Sequence, residues 1–250
     1  MSSLDKLLSV LDIFDDEKTF ITSDDIQASL GISRATSYRY LQALSTAGLL
    51  NSGPGGKYRL GARIIQLDRA QRLGDDLLAA ARQPMEETAN KYTANLILST
   101  FHGDRVFCSY VAWKDSSLPM SYERGRPMPL FYGAMAKVIL ARLSSYQQRR
   151  LMLTYPDEIR KAGLGENWEG FRRTLSDLRK QSSSVTLNEL SPLSVGVGAV
   201  VLDGDNKVAG SVAFAVPNKS FKEVGEAVWR QRIETLAKEI SDNLTAENMN

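Results

Sequence analysis

A chain of 250 residues with 43% hydrophobic content is long enough for two domains with packed cores, and nothing in its composition suggests disorder or low complexity. The single cysteine, Cys108, excludes an internal disulfide and a cysteine-based zinc site. No apolar run approaches the ~20 residues of a bilayer span, and residues 1–14 are too acidic for a signal peptide. These features predict a cytoplasmic protein without a metal, a cofactor or a membrane partner.

The net charge of +2 is divided unevenly. Residues 1–30 set Lys6 and Lys18 against Asp5, Asp12, Asp15, Asp16, Glu17, Asp24 and Asp25. Residues 31–72 carry Arg34, Arg39, Lys57, Arg59, Arg63, Arg69 and Arg72 against Asp68 alone. A positive stretch of this kind is either a solvated face or an anion-binding one.

In chain order, Leu4, Leu7, Leu8 and Leu11 mark a first helix whose apolar stripe must be buried under the next helices or against a second copy of itself. Phe20 and Ile21 suit a short edge strand, after which Thr22 and Ser23 cap a helix over residues 23–30. Gly31 supplies a tight turn into a second helix, whose N-cap is the Ser33 hydroxyl. Ser37, Tyr40, Leu41, Leu44 and Ala47 fall on one stripe of that helix. The opposite face carries Ala35, Tyr38, Arg39 and Gln42, with Arg34 and Thr36 at its N-terminal end. These side chains are the donors, acceptors and small apolar groups that read base edges and hold phosphates in a major groove.

A helix, a tight turn and a second helix also occur in all-α domains that never meet nucleic acid. The following stretch adds a second signal. Residues 49–51 and 57–60 are strand candidates around the turn Ser52-Gly53-Pro54-Gly55-Gly56, with Tyr58 and Leu60 on one face and Lys57 and Arg59 on the other. A basic hairpin after a recognition helix reads as a wing lying along phosphates, so a DNA-binding winged helix-turn-helix is predicted over residues 1–61.

Residues 62–73, with Ile64, Leu67 and Leu73 among charged residues, read as a linker helix within a linker spanning 62–74. Gly74 and Asp75-Asp76 end it and begin a helix to about residue 90, in which Pro84 predicts a kink. Residues 95–101 and 105–111 form a hairpin about His102-Gly103-Asp104. Helices follow at 133–143, 144–153 and 167–181. Residues 193–202 and 207–216 form a second hairpin, and a last helix at 221–244 places Val224, Val228, Ile233, Leu236 and Ile240 on one side. Strand pairs separated by helices indicate an α+β domain over residues 75–250.

The order and spacing of SRATSYRYLQALSTAGLL, KYRLG, PLFYGAMAKVILA and VGVGAVVLDGDNKVAGSVAFAVP, behind a leucine-rich first helix, resemble the IclR family of bacterial transcription regulators over nearly the whole chain. The resemblance implies a C-terminal effector-binding and oligomerisation domain with a GAF-like antiparallel sheet flanked by helices. It also implies assembly as a homodimer or homotetramer, and control by small carboxylates or catabolic intermediates. Carried over by motif, the effector loop is Leu130, Tyr132, Gly133, Ala134, Met135 and Ala136, opening a helix whose free amides suit a carboxylate. The opposite wall falls at Gly196, Ala213 and Ala215, where the family often has small polar residues. Met135 is bulkier than the family's usual loop residue. The more apolar wall favours an aromatic or apolar-bodied acid.

Catalysis has little support in the sequence. His102 is the only histidine and falls in a hairpin turn, and a lone strand cysteine such as Cys108 usually packs as a small hydrophobe. Gly196-Val197-Gly198 sits within a strand and reads as close backbone packing rather than a phosphate loop. No catalytic residue is assigned. The chain reads as a sequence-specific regulator that binds double-stranded operator DNA under the control of a small-molecule effector. The alternatives are a constitutive repressor whose C-terminal region only oligomerises, and an enzyme acting on the bound metabolite.

Overall fold

Capping chemistry sets the first helices. The structure, a computed structural model, describes residues 2–247. In helix α2 (Ser23–Leu30) the Thr22 hydroxyl accepts the Asp25 N–H, and the Asp25 carboxylate accepts the Thr22 N–H at 2.7 Å. Gly31, at φ 61°, ends α2 in the left-handed region that the turn requires. Ser33 then caps α3 (Arg34–Thr46), its hydroxyl accepting the Thr36 N–H at 3.3 Å. Helix α1 (Ser3–Leu8) is shorter than the leucine spacing predicts. Leu7 and Leu11 are partly buried beside Val10, whereas Leu4 and Leu8 are 71% and 61% exposed, so the leucine stripe is only half covered.

Strands β1 (Leu50–Ser52) and β2 (Tyr58–Leu60) pair antiparallel, and the predicted edge strand at Phe20 and Ile21 is reduced to one bridge between Ile21 and Tyr58. One inward position is corrected. Ala47 is the C-cap of α3 and is exposed, because the helix ends before this position can face the core. Leu60 shares the Tyr58 face but is 46% exposed, since β2 ends there and the chain leaves through Gly61. A Cβ at Gly61 would lie 2.2 Å from the Gly48 carbonyl oxygen, so only glycine lets these two segments meet.

Helix α4 (Ala62–Leu73) buries no residue. By its internal packing the chain divides into Met1–Asp75 and Asp76–Asn250, with α4 in the first unit.

The second unit is built on a six-stranded, wholly antiparallel sheet. The hairpins β3 (Asn95–His102) with β4 (Arg105–Trp113), and β7 (Ser194–Leu202) with β8 (Val208–Pro217), agree with the sequence reading. They join through β3 and β8, in register from Asn95 opposite Ala215 to Thr100 opposite Gly210, with a buried Ser99–Ser211 hydroxyl bond of 2.7 Å. Two edge strands absent from that reading, β5 (Pro127–Met128) and β6 (Ser183–Leu187), complete the order β5-β4-β3-β8-β7-β6.

Alternation along β8 sorts the two faces. Val212, Phe214 and Val216 pack with Leu77 and Met85 of α5 (Asp76–Tyr92) and with Trp229, Ile233 and Leu236 of α11 (Glu226–Glu247). Ala213 and Ala215 point the other way, toward Met135 of α6 (Ala134–Arg142). Behind α6, Ile139 and Leu140 share a cluster with Leu151 of α7 (Ser145–Thr154), Ile159 of α8 (Pro156–Lys161), and Phe171 and Leu175 of α9 (Trp168–Lys180).

One helix differs from expectation. The predicted last helix is split into α10 (Asn218–Val224) and α11 by Gly225, at φ 89°. Helix α5 is continuous through the buried Pro84. Proline leaves the carbonyl four residues back without its usual donor, and Asn243 Nδ2 of α11 donates to that Ala80 oxygen at 3.3 Å.

Candidate DNA-reading surface and effector cavity

Buried polar bonds orient α3. Ser37 Oγ donates to the Ser23 carbonyl at 3.2 Å and accepts from Ser23 Oγ at 3.1 Å, while Tyr40 OH donates to the Ser3 carbonyl at 3.0 Å. With Leu41 and Leu44 also buried, the other side of the helix is turned to solvent. Ser33, Arg34, Ala35, Tyr38, Arg39 and Gln42 are exposed there and Thr36 is half-buried, which brings all seven predicted helix positions together.

The two arginines have different neighbours. Arg34 Nη2 lies 3.5 Å from Tyr38 OH, with its guanidinium 5.6 Å from that ring, whereas Arg39 lies 5.9 Å from the ring of Tyr40. On the wing, Arg59 is exposed on β2. Lys57 lies just before the strand, its ammonium 4.1 Å from the centre of the Phe20 ring. Sequence reading did not connect Phe20 to this surface, because the two residues are brought together by the Ile21–Tyr58 bridge.

The cavity lies between the start of α6, strands β7 and β8, and the loop joining β6 to β7. Two glycines of β7 bring the helix close. A Cβ at Gly198 would be 3.1 Å from Ala134, and one at Gly196 would be 2.9 Å from Thr186 Oγ1. The Gly-Val-Gly run therefore is close backbone packing, as its place in a strand implies.

Of the residues predicted by motif, Ala134, Met135, Gly196, Ala213 and Ala215 line the cavity. Gly133, at φ 84°, borders it. Leu130 instead packs with the cluster around Phe131, Tyr132 is 36% exposed, and Ala136 is buried outside the lining. Residues missed by the sequence reading add an apolar floor from Ile97, and hydroxyls from Thr186, Ser191 and Ser194. Tyr122 also contributes, its phenol pushed up in pKa by burial. The cavity is narrow, about 30 Å³, or space for about two waters.

Its charged rim is Glu189. One carboxylate oxygen accepts the Gly133 N–H at 2.8 Å and the other pairs with the Lys137 ammonium, while Leu190 covers Gly133. Nothing local in the sequence points to Glu189, which lies in a loop far along the chain from α6.

The chemistry elsewhere is modest. Cys108 is buried, and burial pushes its thiol up to about 11, which keeps it a neutral, poor nucleophile at pH 7. His102 is exposed at the end of β3 and pairs with Arg105 rather than with Cys108, which lies opposite Ser99. Among the described residues no group of three or more His, Cys, Asp or Glu side chains is placed to hold a metal ion. Among the same residues no helix is long and apolar enough to cross a membrane.

Comparison with known proteins agrees with this architecture. Residues 3–54 match the IclR helix-turn-helix domain, and residues 73–242 match the bacterial transcriptional regulator IclR C-terminal family. The chain is 21% identical over 237 residues to the HTH-type transcriptional regulator XynR of Escherichia coli (strain K12), covering 94% of this chain and 93% of that protein. Among solved structures, an IclR family transcriptional regulator from Brucella abortus superposes with a TM-score of 0.78 at 18% identity, over 97% of this chain and 92% of that one. An IclR homolog from Microbacterium hydrocarbonoxydans, complexed with 4-hydroxybenzoate, superposes with a TM-score of 0.74 at 18% identity, over 97% of this chain and 99% of that one. With a helix-turn-helix and wing in one unit, an antiparallel sheet flanked by helices in the other, and matches to both family domains, this protein belongs to the IclR family of bacterial transcriptional regulators.

Proposed function

We propose that the protein binds operator DNA sequence-specifically, as a homodimer or homotetramer, and that a small carboxylic acid with an apolar or aromatic body modulates this binding. The observation that carries the reading is the pairing of an exposed α3 face, bearing Arg34, Tyr38, Arg39 and Gln42, with a cavity lined by the first two residues of α6, Ala134 and Met135. The first amides of a helix have no partner within it and carry partial positive charge, so they suit a carboxylate. Ile97 and Met135 suit an apolar body. The 4-hydroxybenzoate held by the Microbacterium homolog is an acid of this description.

Two recognition helices of an assembly must enter major grooves about 34 Å apart, or at a multiple of that distance. An effector shifts operator binding only through its different affinities for arrangements that do and do not meet that spacing. Calorimetry against a panel of aliphatic and aromatic acids, followed by operator binding with each ligand found, tests the reading. Binding of an acid that changes operator affinity is the expected result.

The second reading, a constitutive repressor whose C-terminal unit only oligomerises, is favoured by the narrowness of the cavity. It predicts intact DNA binding with no ligand in the panel.

A further inference from the structure

We propose that Glu189 is an internal competitor for the effector carboxylate. The loop that carries it would set both the affinity of the site and its preference among acids. This inference rests on the effector role proposed for the cavity.

The anion position at the start of α6 is already filled by the chain itself. Glu189 takes the Gly133 N–H at 2.8 Å and pairs with Lys137, whose side chain is only 13% exposed. The Gly133 N–H at the N-cap and the Lys137 ammonium in the first turn are both engaged by Glu189, so an effector carboxylate arriving at this helix start meets a carboxylate already in place. The neighbouring residue closes the same opening. Leu190 Cδ1 lies 2.6 Å from where a Cβ on Gly133 would be, and Leu190, with Ser191, walls the cavity. Glycine at 133 therefore makes room for this closure as well as for the positive φ of the helix start.

The loop is tied down beside these two residues rather than through them. Asn188 N–H donates to the Ser194 carbonyl, and Asn218 donates to the carbonyls of Pro192 and Leu193. Glu189 and Leu190 are otherwise exposed, so their release needs no disruption of the sheet.

Two carboxylates on one helix start repel each other, and neither shares Lys137 without loss to the other. An acid entering the cavity must therefore displace Glu189, and about 30 Å³ of space requires Leu190 to move as well. The apparent affinity is the intrinsic affinity multiplied by the fraction of molecules with the loop released. A neutral ligand also needs the loop released, but it is not repelled by the Glu189 charge and gains less from the vacated ammonium.

The test uses the full chain, with benzoate and its neutral isostere benzamide as calorimetric probes of the wild type, Glu189→Ala and Glu189→Gln. Thermal melts verify folding, and the Gln variant serves if the Ala variant is unstable. The expected result is benzoate binding at least tenfold tighter to Glu189→Ala, with a smaller gain for Glu189→Gln, whose amide oxygen still accepts from Gly133. Benzamide should gain clearly less than benzoate, since both need the loop released but only benzoate is relieved of the opposing charge.

Equal gains for both probes would overturn the proposal, since they would mean a loosened loop and not a removed competitor. Equal benzoate affinity in all three proteins would overturn it while leaving the effector reading standing. No benzoate binding to any of the three would overturn both.

Discussion

On α3, the neighbours of the two arginines separate their expected effects on DNA. In the proposed function Arg34, at the N-terminal end of the helix and steadied by the Tyr38 hydroxyl and ring, reads a base edge, and Arg39, a turn further on, holds a phosphate. Arg34→Ala should cost about 1–3 kcal/mol on the operator and relax specificity, whereas Arg39→Ala should weaken binding to operator and random DNA alike. Fluorescence anisotropy on both DNAs checks this, and equal losses on both DNAs for both variants would contradict it. A second prediction concerns Asp25, whose carboxyl is held down to about 2, first by the Lys18 ammonium at 2.5 Å and then by Thr22. This folded pKa lies below the ordinary value of 3.8, so the stabilisation is complete above that value and is lost as pH falls from 3.8 toward about 2. The stability gap between wild type and Asp25→Asn, followed by thermal melts, should shrink across that window. A gap that does not change with pH would contradict it.

Among the elements, backbone demands that single residues satisfy lead to two further predictions. Gly61→Ala places a methyl carbon 2.2 Å from the Gly48 carbonyl oxygen, at the exit of the wing. It should cost about 1–3 kcal/mol of N-terminal stability in urea denaturation and weaken DNA binding, since the clash is with backbone and not with a mobile side chain. In the second unit, Asn243→Ala should cost about 1 kcal/mol by orphaning the Ala80 carbonyl. In a Pro84→Ala background the same change should cost less, because the restored amide of residue 84 satisfies that oxygen. A double-mutant cycle measures the difference. Pro84 also marks where sequence reading reaches its limit. A proline inside a helix predicts a kink, and the donor that completes this helix comes from α11, more than 150 residues away. The helix-turn-helix, the wing and the two central hairpins were legible because each is set by local periodicity and turn chemistry. Strands β5 and β6 were not, being two and five residues long, and the break at Gly225 was hidden within an otherwise continuous helical pattern. The sites divide in the same way. The candidate DNA-reading face lies on one helix and its period exposes it, whereas the cavity draws on β3, the loop after β6, and β8, and no local pattern announces Glu189 as the partner of Gly133.

At the scale of the molecule, the cations of residues 31–72 lie in the unit that carries the exposed α3 face and the wing, and the cavity lies wholly in the other unit. Binding to DNA should therefore weaken steeply with salt through counterion release, with a slope set by the number of phosphates neutralised. Occupancy of the cavity should change operator affinity at fixed salt. The central claim is that one chain couples these two properties. The most direct measurement is binding of the purified protein to the DNA upstream of its own coding sequence, across a salt series, with and without a panel of carboxylic acids. The account predicts tight, salt-dependent binding that at least one acid shifts tenfold or more. Tight binding that no acid alters would contradict the effector role of the cavity.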